Sequence, residues 1–165
     1  MRELSNTPGI GSDGLPVNKL KRYIRQNDVR DARQRGMTTA REKVKIGLGR
    51  DAIGQPVDLN IVDWHVRQQN PSASPSEVRN ETLEVIRSLV SEGWFRLGAM
   101  SENGRFAPWK RSLDHSMEKI SHVYVRHYDE PEKWMFAVSL ELTDKGEQSA
   151  RAREEKDIAS YRKSQ

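Results

Sequence analysis

Apolar residues recur at helical spacing over three stretches of this chain and alternate over a fourth. In "VDLNIVDWHVRQQ" (57–69), Leu59, Val62 and Val66 form one stripe, Ile61 and Trp64 adjoin it, and Pro71 closes it. "SPSE" (74–77) predicts the clearest helix start: Ser74 as N-cap, Pro75 at N1, and Glu77 at N3 completing a capping box. Val78, Val85, Ile86 and Leu89 follow, widened by Leu83 and Val90, and Gly93 ends the helix. A third amphipathic helix carries Leu113, Met117, Ile120, Tyr124 and Tyr128, and stops before Pro131.

The alternating stretch is "FAVSLELT" (136–143). Phe136, Val138, Leu140 and Leu142 point one way and Ala137, Ser139, Glu141 and Thr143 the other, which predicts a strand with one buried face. Thr143-Asp144, with Glu147 beyond, then launches a final helix that is almost wholly charged past Ala152. Earlier, "WFRLGAM" (94–100) reads as a strand, "SENGR" as a turn and "FAPWKR" as an extended segment.

Towards the N-terminus the pattern thins. Residues 1–16 hold three glycines and two prolines and read as a flexible leader. Val17 to Arg35 is helix-compatible, but its apolar side is narrow (Val17, Leu20, Ile24) and Gly36 stops it. Thr39 with Glu42 opens a short helix toward Ile46, and "GLGRDAIGQP" breaks the chain. The expected organisation is therefore residues 1–50 as leader and basic, partly helical arm, and residues 51–165 as the folded domain with its charged C-terminal helix.

The order of helix, capped helix, glycine, strand, turn, later strand and helix resembles a winged helix (winged helix-turn-helix), in which a helical trio precedes a β-hairpin wing. "ETLEVIRSLVSEGWFRLGAM" (81–100) and "FAVSLELTDKGEQSARA" (136–152) carry the likeness. The stretch from about 57 to 152 also resembles a group of small actinobacterial proteins with no assigned activity, in which a similar helix, a "GRFAPW"-like turn and an "LTxKGE" junction occur together. The resemblance implies an α+β fold: a mostly helical winged-helix domain with a small antiparallel sheet, preceded by the basic arm. One departure is plain. Some 33 residues, Ser101 to Lys133, stand where a wing has a short turn, so the helix around Leu113 to Tyr128 is expected as an insertion in the wing.

Composition narrows the function classes. At 165 residues, one main domain is expected. With 35% hydrophobic and 32% charged residues the core is modest. The absence of cysteine excludes disulfides, thiolate metal sites and cysteine catalysis. No apolar targeting segment or bilayer-length run is present, so a cytoplasmic protein without membrane partners is expected. His115, His122 and His127 are separated by seven and five residues, which misses the i,i+4 spacing of paired helical ligands, and no metal or cofactor is expected. No G-x-S-x-G, phosphate-loop or dinucleotide motif appears, and Asp114 and Asp129 stand too isolated for an acid–base pair, so no enzymatic activity is expected.

Charge points elsewhere. The net charge of +4 conceals a block of +8 in residues 19–50. Such a block meets a polyanion or an acidic protein face. The expected nucleic-acid contacts are Lys19, Lys21, Arg22, Arg25, Arg30, Arg33, Arg35, Arg41, Lys43 and Lys45 from the arm. Arg79, Asn80 and Arg87 would join them from the capped helix, where such residues read base edges. Arg105, Lys110 and Arg111, interleaved with Phe106 and Trp109, would grip phosphates from the turn. The expected partner is nucleic acid, DNA before RNA. The alternative is a protein partner: an inhibitor, immunity or adaptor module on the same scaffold, with Trp64, Trp109 and Trp134 as anchor types.

Overall fold

The computed structural model describes residues 39–165, and Ala40–Gln165 forms one compact unit. Among the described residues the fold is α+β, with six helices and a four-stranded antiparallel sheet. The order is α1 (Ala40–Asp51), β1 (Val57–Asp58), α2 (Leu59–Gln69), α3 (Pro75–Ser91), β2 (Phe95–Met100), β3 (Phe106–Pro108), α4 (Leu113–Arg126), α5 (Pro131–Trp134), β4 (Ser139–Leu142) and α6 (Asp144–Lys163).

The helix signals behave as their chemistry requires. Ser74 Oγ accepts the Glu77 amide at 3.2 Å and donates to the Glu77 carboxylate at 3.0 Å, satisfying an otherwise orphaned first-turn donor of α3. Gly93 takes φ +79° immediately after that helix, a left-handed conformation in which a side chain is strained. Ser112 caps α4 through the His115 amide, and Thr143 caps α6 through the Gly146 amide. Leu59, Val62 and Val66 of α2 and Val85, Ile86 and Leu89 of α3 are fully buried, as their stripes predict. Each such side chain contributes roughly 1.5–3 kcal/mol by leaving water.

The sheet order is β1–β4–β2–β3. β4 sits between β1 (Val57 opposite Leu140) and β2 (Leu97 opposite Leu140), and β2 also pairs with β3 (Met100 opposite Phe106). Strands β2 and β4 are neighbours although residues 101–138 lie between them in sequence. That excursion holds β3, α4 and α5. α4 packs on α3 through Met117, Ile120 and Tyr124, all part of the single core.

Three local expectations are corrected. Helix α1 does not stop near Ile46 but runs through "GLGRD" to Asp51, burying Val44 and Leu48 within the compact unit Ala40–Gln165. Its glycines permit close approach: a Cβ on Gly47 would stand 2.7 Å from the His65 ring, and one on Gly49 3.4 Å from Ala150. Second, the alternation from Phe136 overstates β4. Pro131 starts the one-turn helix α5, and Ala137 still donates to the Trp134 carbonyl, so pairing begins only at Ser139. Phe136 is 68% exposed, whereas Val138 and Leu140 are buried. Third, β1 forms at Val57–Asp58, where the helical pattern hides a two-residue strand.

Candidate nucleic-acid interface

Seven of the expected contacts, Lys19, Lys21, Arg22, Arg25, Arg30, Arg33 and Arg35, lie outside the described residues. The other nine fall in three places. Arg41, Lys43 and Lys45 are on α1. Arg41 makes a two-pronged pair with Glu81 of α3 (2.8 and 2.6 Å), which raises the guanidinium pKa chiefly through the hydrogen bond. Lys45 donates to Ser88 at 2.6 Å and Glu92 at 2.8 Å. Partial burial pushes the Glu92 carboxyl up, but the bonds from Lys45 and Ser88 outweigh it and leave the carboxyl below its usual range. Lys43 is exposed.

Arg79, Asn80 and Arg87 lie on α3, the helix expected to read bases. Two of the three are engaged within the fold by the excursion between β2 and β4. The Arg79 guanidinium carbon lies 4.8 Å from the centre of the Tyr128 ring, and Arg87 donates to Asp114 of α4 at 2.9 Å. On the opposite flank of α3, Glu81, Ser88 and Glu92 face α1. The exposed residues of α3 are Pro75, Ser76, Glu77, Asn80, Glu84 and Ser91. That set has two carboxylates and no cation, which repels a phosphate backbone.

Arg105, Lys110 and Arg111 are exposed around the β2–β3 hairpin and the entry to α4. Trp109 is half-buried, packed on the core edge, with its amide donating to the Leu97 carbonyl at 2.9 Å. The Arg111 guanidinium carbon stands 5.2 Å and the Lys119 ammonium 4.6 Å from its ring centre. Phe106 is half-buried beside Arg96, whose guanidinium lies 5.5 Å from its ring and also pairs with Glu141 across the β2–β4 ladder. The basic residues of the turn therefore stay open while its aromatics serve the sheet.

A further cluster was not anticipated. Asp63 of α2 is 2% exposed and accepts from three donors: Arg67 Nε at 2.7 Å, Tyr124 Oη at 2.5 Å and Tyr128 Oη at 3.0 Å. Burial first, and then the bonded carboxylate, push both tyrosine pKa values above the ordinary range. Tyr128 stacks on Trp134 at 5.5 Å, and the Trp134 indole N–H donates to the Tyr128 carbonyl at 3.0 Å. Beside this network lies a groove of about 480 Å³ lined by residues that include Asn60, Ile61, Trp64 and Met135. Trp64 is about half exposed there. Asp63 is one polar position in an otherwise apolar helical stripe, which was the available signal, but its partners lie more than 60 residues away.

Among the described residues no group of three or more His, Asp or Glu side chains is placed to hold a metal, and no helix is long and apolar enough to cross a membrane. His127 meets Glu130 at 2.9 Å. Comparison of the chain with protein-family models, with curated proteins and with solved structures finds no match.

Proposed function

We propose that this chain binds nucleic acid, DNA in preference to RNA, on a winged-helix-like body with the basic N-terminal segment supplying phosphate contacts. The helical trio α1–α3 followed by the antiparallel pair β2–β4 supports the winged-helix reading, with β3, α4 and α5 as an elaboration of the wing. The observation that carries the functional reading is the partition of charge. Residues 39–165 hold twenty Lys/Arg and twenty Asp/Glu, so the whole net charge of +4 resides in residues 1–38. A neutral body with a cationic segment suits sequence-independent attachment to a polyanion, with the body setting position.

The test is the full-length protein against a variant with Lys19, Lys21, Arg22 and Arg25 all changed to Gln. Fluorescence anisotropy with labelled duplex DNA, repeated across salt concentrations, should show the slope of log affinity against log salt falling by roughly 3–4, about 0.9 for each lost phosphate contact. Equal affinity and slope for the two proteins would refute the segment's role. The same titration on an RNA duplex of equal length decides the order of preference.

A second reading, a protein-interaction module, is favoured by one observation: the apolar groove beside Asp63, with Trp64 open to solvent at its edge. In that case Trp64→Ala would abolish a stoichiometric protein complex and leave any DNA affinity unchanged.

A further inference from the structure

The described part of the chain pairs its cations widely. Arg41, Lys45, Arg50, Arg67, Arg87, Arg96, Lys133, Arg151 and Arg153 each meet a carboxylate. The excursion between β2 and β4 concentrates the exceptions: Lys133 pairs with Glu130, but among the described residues none of Arg105, Lys110, Arg111, Lys119 and Arg126 has a carboxylate within bridging distance. Four exposed residues of α4, His115, Lys119, His122 and Arg126, recur at i, i+4, i+7 and i+11, which places them on one line along its outer face. Arg111 stands at the start of that line. The opposite side of α4, through Met117, Ile120 and Tyr124, is committed to the core, so the stripe lies on the side the helix gives to solvent, beside the exposed Asp114, Glu118 and Val125.

Trp109 holds Arg111 and Lys119 by their charged ends. A ring face fixes a cation without neutralising it, so both charges stay available to an anion while their side-chain freedom is already reduced. From His115 to Arg126 the helix rises about 16 Å, and a duplex carries one negative charge per roughly 1.7 Å of axis. The stripe thus offers several contacts along a phosphate backbone. Within α4 itself the acidic residues are Glu118, on the stripe's flank, and Asp114, which is paired with Arg87. Insertion into a lipid surface is disfavoured because the apolar side of α4 is buried beneath the stripe rather than free to enter the bilayer.

We propose that the outer face of α4, with Arg111 held on Trp109, is a second nucleic-acid-binding surface that takes the phosphate backbone of duplex DNA. This rests on the nucleic-acid reading above and shifts the body's contact from α3 to the excursion that covers it.

The test uses the full-length protein and its R111Q/K119Q/R126Q variant, titrated with a labelled duplex of roughly 20 base pairs between about 50 and 200 mM salt. The variant should lose about 2–3 from the salt slope and bind about tenfold or more weakly at the lower salt, with an unchanged urea midpoint. Lys119→Arg in an otherwise wild-type chain should retain the contact. If the triple variant is destabilised, Lys119→Gln and Arg126→Gln singly should each lower the slope by about 1. Slope and affinity equal to wild type would overturn the surface while leaving the role of residues 19–25 intact. Absence of duplex binding by the wild-type chain would overturn both proposals. Poly-glutamate or anionic vesicles competing as well as DNA at equal charge would overturn the choice of nucleic acid for this face.

Discussion

Arg87 of α3 and Asp114 of α4 meet at 2.9 Å, so the arginine expected to read a groove also fastens the helix to the excursion lying on it. Both side chains are substantially exposed, and such a pair is worth about 0–1 kcal/mol. Arg87→Ala should therefore shift the urea midpoint only slightly. Its effect on DNA affinity should stay well below the roughly 1–3 kcal/mol that loss of a base-reading arginine costs. Anisotropy titration against several duplex sequences checks this; a large, sequence-selective loss would restore α3 as the reader.

The Asp63 cluster is the buried polar centre that ties α2 to the end of α4. Asp63→Ala strands the Tyr124 hydroxyl and should cost about 3–5 kcal/mol in urea unfolding, whereas Asp63→Asn keeps one acceptor oxygen, though it turns the other into an NH2 donor, and should cost about 1–3 kcal/mol. Equal losses for the two variants would show that one acceptor oxygen of the right shape is not enough and that the charge and second acceptor of the carboxylate carry the contribution.

The same centre sets an alkaline limit. Tyr124 and Tyr128 have folded pKa values above their unfolded ones, so their contribution is complete below the ordinary tyrosine value near 10 and is lost as pH rises beyond it. Above that pH the unfolded chain sheds protons that the folded chain keeps. Stability should then fall by at most about 1.4 kcal/mol per pH unit for Tyr124, and by less for the more exposed Tyr128. Urea unfolding from pH 8 to 11 should show this slope, diminished in Tyr124→Phe.

Gly146 opens α6, where helix propensity alone favours alanine by about 1 kcal/mol. A Cβ there would stand 2.1 Å from the Trp94 carbonyl oxygen. Gly146→Ala should reverse the propensity gain and destabilise by about 1–3 kcal/mol through forced movement of backbone. A higher Tm in this variant would mean that the α6 start can shift without cost.

Local signals read directly from sequence proved the most legible. The caps at Ser74 and Thr143 and the stop at Gly93 act within a few residues of themselves, and the α2 and α3 stripes need only a core to face. Signals whose meaning depends on a distant neighbour were opaque. Gly47 looks like a breaker until His65 lies against it, and Phe136 looks like a core residue until Pro131 and Trp134 shorten its strand. The candidate site divides in the same way. Arg111 and Lys110 could be picked out by their aromatic company, but the exposure of Lys119 and Arg126 and the engagement of Arg79 and Arg87 follow from where α4 docks.

The pairing of β2 with β4 has a kinetic consequence. Arg96 and Glu141, partners on adjacent strands, are 45 residues apart in the chain. Replacing a turn of a few residues by such a loop adds roughly 2 kcal/mol of closure entropy, at about 0.6 per doubling of length. The seating of α4 and Trp134 in the core must offset that before the ladder can close. Helix docking and strand pairing are thereby coupled, and amides of β4 should exchange their hydrogens no more slowly than those of α4.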